Sequence, residues 1–109
     1  MFVKLATRLC IALIGIGASA QTTSTPEQTA LKRYCVGCHN AKVKTAGLAF
    51  EGMTLQNVGL HSQDWEKVAR KLQTRSMPPA GLPRPDERTY SSLLATLESS
   101  LDQAAAATV

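Results

Sequence analysis

Three stretches of the chain repeat apolar side chains at helical spacing, and the segments between them do not. Ala30, Leu31 and Tyr34 mark one side of a segment that opens at Thr25-Pro26-Glu27-Gln28. Thr25 can cap there, Pro26 suits a first helical turn and Gln28 completes a capping box, so a helix is predicted that runs straight into Cys35. Trp65, Val68, Ala69 and Leu72 form a second stripe, with Ser62 expected as its cap, Asp64 and Glu66 in its first turn and its end near Arg75. The third stripe is the longest. After Asp86-Glu87, residues Tyr90, Leu93, Leu94, Leu97 and Leu101 share one side before the pattern fades into Ala104 to Ala107.

The intervening segments read as irregular. From Asn40 to Gly59, glycines at 47, 52 and 59 punctuate scattered apolar residues, among them Val43, Leu48, Phe50, Met53, Leu55 and Val58. Met77-Pro78-Pro79-Ala80-Gly81-Leu82-Pro83-Arg84-Pro85 holds four of the five prolines and cannot be regular helix or a central strand. No period-two alternation marks a strand, so the fold class is all-α: one small three-helix domain over residues 26–103, after a polar linker at 21–25 and before an Ala-rich tail at 104–109.

A fourth apolar run, Leu9 to Gly17, has a different meaning. Lys4 and Arg8 precede it and Ala18-Ser19-Ala20 follows, which is the layout of a cleaved export signal over residues 1–20. The run falls short of the roughly 20 residues of a membrane span. The exported chain is therefore expected to be periplasmic or secreted and not membrane-spanning. Cys10 lies at the start of this run, away from the cleavage position, and is not read as a lipidated cysteine. Without Lys4 and Arg8 the precursor's net charge of +4 falls to +2, with ten basic and eight acidic side chains. No Lys/Arg stripe interleaved with aromatics appears, which argues against a nucleic-acid partner. Of the aromatics only Tyr34, Phe50, Trp65 and Tyr90 remain. A core that small gains from a large apolar cofactor.

The chemistry concentrates in Cys35-Val36-Gly37-Cys38-His39. C-x-x-C-H is the attachment pattern of a c-type haem: two thiols at this spacing can each add to one vinyl group, and the adjacent imidazole becomes an axial iron ligand. Three other readings compete. A thioredoxin-like pair needs a strand before Cys35 and puts no demand on His39. A zinc site needs four ligands, and downstream of Cys38 there is no cysteine and only His61 besides His39. A Cys35–Cys38 disulfide suits an oxidising compartment but leaves the histidine without a role. Haem attachment uses all three residues and is favoured.

With the helix before the motif and the Met-Pro-Pro segment before the last helix, the chain resembles the class I c-type cytochromes. Within that family it is similar to the planctomycete-type cytochrome c domain found at the N-terminus of large secreted planctomycete and acidobacterial proteins. The matching residues run from Tyr34-Cys35-Val36-Gly37-Cys38-His39-Asn40 through Trp65-Glu66-Lys67-Val68-Ala69-Arg70-Lys71-Leu72 to Met77-Pro78-Pro79 and Pro83-Arg84-Pro85. The resemblance implies a cytochrome c-like domain wrapped around one haem c. Cys35 and Cys38 would form its thioethers, His39 would be the proximal iron ligand and Met77 the distal one. It further implies one-electron transfer to redox protein partners through an exposed haem edge, with no catalytic residues. The alternative is a haem module of a larger secreted enzyme, or a small-ligand sensor with a labile distal position.

Met77 also has a chemical argument. A thioether is a soft neutral ligand that favours ferrous iron, and Pro78 and Pro79 stiffen the backbone that carries it. Met53 and His61 are the reserve candidates. Trp65, Leu72, Leu93, Leu94 and Leu97 are assigned to the core, and the resemblance implies a pairing of Tyr34 with Tyr90 where the first and last helices cross. Lys42, Lys44, Lys67, Arg70 and Lys71 form a solvated face, of which Lys42 and Lys44 follow the motif closely enough to rim a haem edge.

Overall fold

The computed structural model of the chain describes residues 23–109. The export segment expected over 1–20, Cys10 included, lies outside the described residues. Those residues form three α-helices, α1 (Pro26–Tyr34), α2 (Ser62–Gln73) and α3 (Glu87–Ala106), joined by irregular chain with 3₁₀ turns at Thr45–Gly47 and Val58–His61, and contain no strand. The all-α, three-helix expectation holds, and no helix among these residues is long and apolar enough to cross a membrane.

Each helix begins where its cap chemistry dictates, with one exception. Thr25 accepts from the Gln28 N–H at 3.2 Å while its own N–H donates to Gln28 Oε1 at 3.1 Å, the reciprocal pair that satisfies two orphan donors of α1. Asp86 caps α3 by accepting from the Thr89 N–H at 2.8 Å. The exception is α2. Ser62 is not its cap but its first helical residue (φ −56°, ψ −41°), and His61 occupies the cap position without a side-chain bond. The Val58–His61 turn feeds directly into the helix, so helical geometry is already established upstream of Ser62.

The far end of α2 closes in a Schellman motif: Ser76 N–H bonds Lys71 O at 3.0 Å and Arg75 N–H bonds Leu72 O at 3.2 Å. That motif needs a left-handed residue, normally glycine, and here it is Arg75 with φ +55°. The Cβ contact this forces costs roughly 1–2 kcal/mol. Something else about Arg75 must offset it, and the strap described below supplies the candidate contacts.

α3 packs against both α1 and α2 and against the Val58–His61 turn. Its stripe is buried at Tyr90, Leu93, Leu97 and Leu101, and α2 contributes Trp65, Val68, Ala69 and Leu72. Leu94 sits at the edge of this core, partly buried. Trp65 is fully buried at the centre of this core. The chain around residues 104–106 is no loose tail. α3 continues through Ala106, and a Cβ placed on Gly59 would come within 3.3 Å of the Ala104 Cβ, so the turn before α2 rests directly on the last turns of α3.

Tyr34 and Tyr90 do not pair. The ring contacts among the described residues are His39–Phe50 and Phe50–Trp65, whereas Tyr34 lies under the Arg33 guanidinium and Tyr90 under those of Arg75 and Arg84. Two arginines near the Tyr90 ring give its face a stronger electrostatic partner than another tyrosine would.

Candidate functional site

Cys35 forms the C-cap of α1, and from there the chain winds on itself. Cys35 N–H donates to Leu31 O at 3.0 Å, His39 N–H to Cys35 O at 3.0 Å and Cys38 N–H to Cys35 O at 3.3 Å. Asn40 secures the coil from both ends of its amide: Nδ2 donates to Val36 O at 2.7 Å and Gly37 O at 3.2 Å, while Oδ1 accepts from the Lys42 and Val43 N–H groups at 3.0 and 2.9 Å. Winding the pentapeptide this tightly puts Cys35, Cys38 and His39 on the wall of one cavity of about 410 Å³.

The His39 ring is fixed by two contacts. Its Nδ1 lies 3.0 Å from Thr45 O, and since a carbonyl can only accept, Nδ1 carries a proton, which in the neutral ring leaves the lone pair on Nε2. Phe50 meets the ring edge-to-face at 6.1 Å between centroids, and Phe50 in turn leans on Trp65 at 5.5 Å. An imidazole with an oriented N–H on one side and a free nitrogen on the other is the form a metal ligand takes.

The second part of the wall comes from after α2: Met77, Pro78, Pro79, Leu82 and Pro83. This strap is held from α3. The buried Tyr90 donates its hydroxyl to Met77 O at 3.0 Å and accepts from Arg84 Nε at 3.2 Å. Its ring lies beneath the guanidinium of Arg75 at 4.8 Å and that of Arg84 at 5.7 Å. Arg75 also reaches Leu72 O and pairs with Glu87, donating from Nε at 3.0 Å. Arg84 closes the ring of contacts by donating to Arg75 O.

The two cysteines differ. Cys38 is exposed, whereas Cys35 is half-buried, and burial pushes its thiol up to about 11. Three cations also face the cavity: Arg33 from α1, and Lys67 and Lys71 from α2. Lys67 is shared with Asp64 at 3.4 Å, while Arg33 and Lys71 make no ion pair among the described residues.

No family model, curated protein or solved structure matches the chain.

Of the residues singled out by sequence, Cys35, Cys38, His39 and Met77 converge on the cavity, and Met53 and His61 do not line it. Met53 packs against the core from a partly buried position, and His61 ends the turn before α2. Lys42 and Lys44 are exposed and stand off the cavity wall. The cations on the wall come instead from α1 and α2, where Lys67 and Lys71 are one turn apart on a face next to the buried stripe. The arginines around Tyr90 leave no periodic trace in the sequence.

The residues present fit a c-type haem. The cavity falls within the roughly 300–1,000 Å³ range of cofactor sites. It brings together two thiols, an imidazole with a free nitrogen and a thioether, on a mainly apolar wall edged by cations suited to carboxylates.

Proposed function

We propose that this protein is a c-type cytochrome domain that carries single electrons between redox partners outside the cytoplasm. The observation that supports it best is the convergence of Cys35, Cys38, His39 and Met77, from two separate parts of the chain, on one cavity. Cys35 and Cys38 would hold the haem covalently, and His39 Nε2 and Met77 Sδ would ligate its iron. When bound, the group supplies reversible exchange between ferric and ferrous iron.

The chain's own contribution is positioning. Thr45 O and Phe50 hold the His39 ring so that it need not reorganise. A neutral thioether opposite an imidazole favours ferrous iron relative to two imidazoles, which raises the reduction potential. Leu48, Phe50, Val68 and Leu72 give the cavity an apolar wall, which would disfavour the extra charge of ferric iron in the same direction. Arg33 and Lys71 are placed to receive carboxylates at the cavity edge. Proton transfer needs no residue here. His61, the one histidine besides His39, is off the wall, so the alternative of a distal catalytic or sensory site has no imidazole to use.

The test is expression with a cytochrome maturation system, followed by intact mass and visible spectroscopy. The expected product gains the mass of one haem, shows the narrow ferrous bands of a low-spin c-type haem, and in the ferric state shows the weak far-red absorption of a methionine–iron bond. A colourless, folded product at the bare peptide mass refutes attachment. High-spin ferric bands with ready cyanide binding favour the open-site alternative.

A further inference from the structure

We infer that Tyr90 and Arg75 are positioning residues for Met77: together they form a latch on α3 and the end of α2 that keeps the distal strap closed. This rests on the ligation proposed above. Among the described residues Tyr90 is the only side chain that bonds the main chain of Met77 itself, through its hydroxyl to the Met77 carbonyl at 3.0 Å. Its ring is clamped beneath two guanidinium groups, and one of these belongs to Arg75, two residues before the ligand.

The backbone of Arg75 argues that this clamp is what the position is for. Glycine would close the same Schellman motif without the left-handed penalty, yet an arginine stands at φ +55°. Departures of this kind persist where the surroundings over-determine them, and they cluster at functional sites. Here the guanidinium reaches Leu72 O, Glu87 and the Tyr90 face together, tying the end of α2 to the first turn of α3, and the strap joins them through the Tyr90 hydroxyl on Met77 O and Arg84 on Arg75 O. The strap is short, and its prolines leave few backbone donors of its own: Leu82 N–H to Pro79 O, at 3.2 Å, is its one internal backbone bond among the described residues. Closure therefore depends on contacts from outside.

An external ligand must wait for the strap to open before it can replace Met77, so its apparent affinity reads the opening equilibrium. Imidazole is titrated into the ferric holoprotein and into Tyr90→Phe, Arg75→Gly and Leu101→Ala. Tyr90→Phe keeps the ring and deletes only the hydroxyl. Its imidazole affinity should rise about fivefold, within the roughly 2- to 12-fold expected for one ordinary hydrogen bond. Arg75→Gly relieves the left-handed backbone while removing the clamp, and should raise the affinity at least as much. Leu101→Ala weakens α3 far from the strap, at a residue outside every contact named here, and should leave the affinity unchanged. Hydrogen exchange over residues 76–82 of the holoprotein should quicken in the first two variants and not in the third.

Wild-type affinity and exchange in Tyr90→Phe and Arg75→Gly, in proteins that keep the methionine–iron band, would overturn the latch and leave the ligation standing. An equal rise in Leu101→Ala would also overturn it, by reducing the effect to general destabilisation. Absence of the methionine–iron band in the wild type overturns both.

Discussion

Phe50 joins the site to the core, and its removal should be felt in both. The ring is buried, meets His39 edge-to-face at 6.1 Å and packs on Trp65 at 5.5 Å, while its N–H bonds His39 O at 3.1 Å. Phe50→Ala leaves that backbone bond but empties the space between the imidazole and the indole. Large-to-small changes at such positions cost about 3–5 kcal/mol, through lost transfer energy and an unfilled cavity. The two aromatic contacts account for roughly 0.5–1.5 kcal/mol each within that figure. A domain of roughly 90 residues has a total stability of only about 4–13 kcal/mol. The substitution therefore removes between a quarter and all of it. Phe50→Leu keeps most of the volume and loses the ring geometry, so it should cost less than half as much. The assay is urea unfolding of the holoprotein followed by far-UV circular dichroism, with the slope compared among wild type and both variants. A loss below about 1 kcal/mol in Phe50→Ala at unchanged slope would refute the claim that this ring bridges His39 to Trp65.

Other consequences can be measured separately. Gly59→Val should destabilise by about 1–3 kcal/mol, because its Cβ would stand 3.3 Å from the Ala104 Cβ with branches beyond it; thermal melts should show Ala104→Gly restoring much of the loss, and no rescue would mean that the two do not meet. In protein spanning residues 23–109 and prepared without haem, iodoacetamide at pH 8 should modify Cys38 well before Cys35, since a thiol titrating at about 11 is only about one part in a thousand thiolate at that pH. Peptide mapping of a time course decides it, and equal rates would contradict the half-buried placement of Cys35. Stability should fall in acid: Glu87 is held below its ordinary 4.5 chiefly by its bond from Arg75, and Asp86 below 3.8 chiefly by the Thr89 side chain. A depressed carboxylate contributes stability that is full above the unfolded value and is lost as pH falls through the folded one, so melting temperature should drop below about pH 4.5. Glu87→Gln should flatten that decline, and an unaltered profile would show that the pair with Arg75 adds nothing.

Helices were legible because their signals are local. The capping box at Thr25 and Gln28, the opening of the last helix at Asp86-Glu87 and the stripes ending in Leu72 and Leu101 need only near neighbours to act, and all are found where their residues predict. Ser62 failed as a cap because helical geometry was imposed from the preceding turn, which no capping rule reports. The extent of α3 was underestimated for a related reason. Alanines carry little apolar signal, and what recruits Ala104 is the bare backbone of Gly59, 45 positions earlier in the chain.

The pentapeptide by itself carries the chemistry proposed for this chain, since two thiols and an imidazole at that spacing form the pattern before any folding. The helix stripes determined the all-α class in the same way, by periodicity. What only the tertiary structure decided is which distant groups meet the pentapeptide. Met77 is brought to the cavity while Met53 and His61 are not, Thr45 supplies the acceptor that orients His39, and Tyr90 with Arg75 holds the strap. Those outcomes depend on where α2 and α3 cross and on how the irregular chain between them closes. Such choices are made by the packing of side chains far apart in sequence, and no single stretch of residues encodes them.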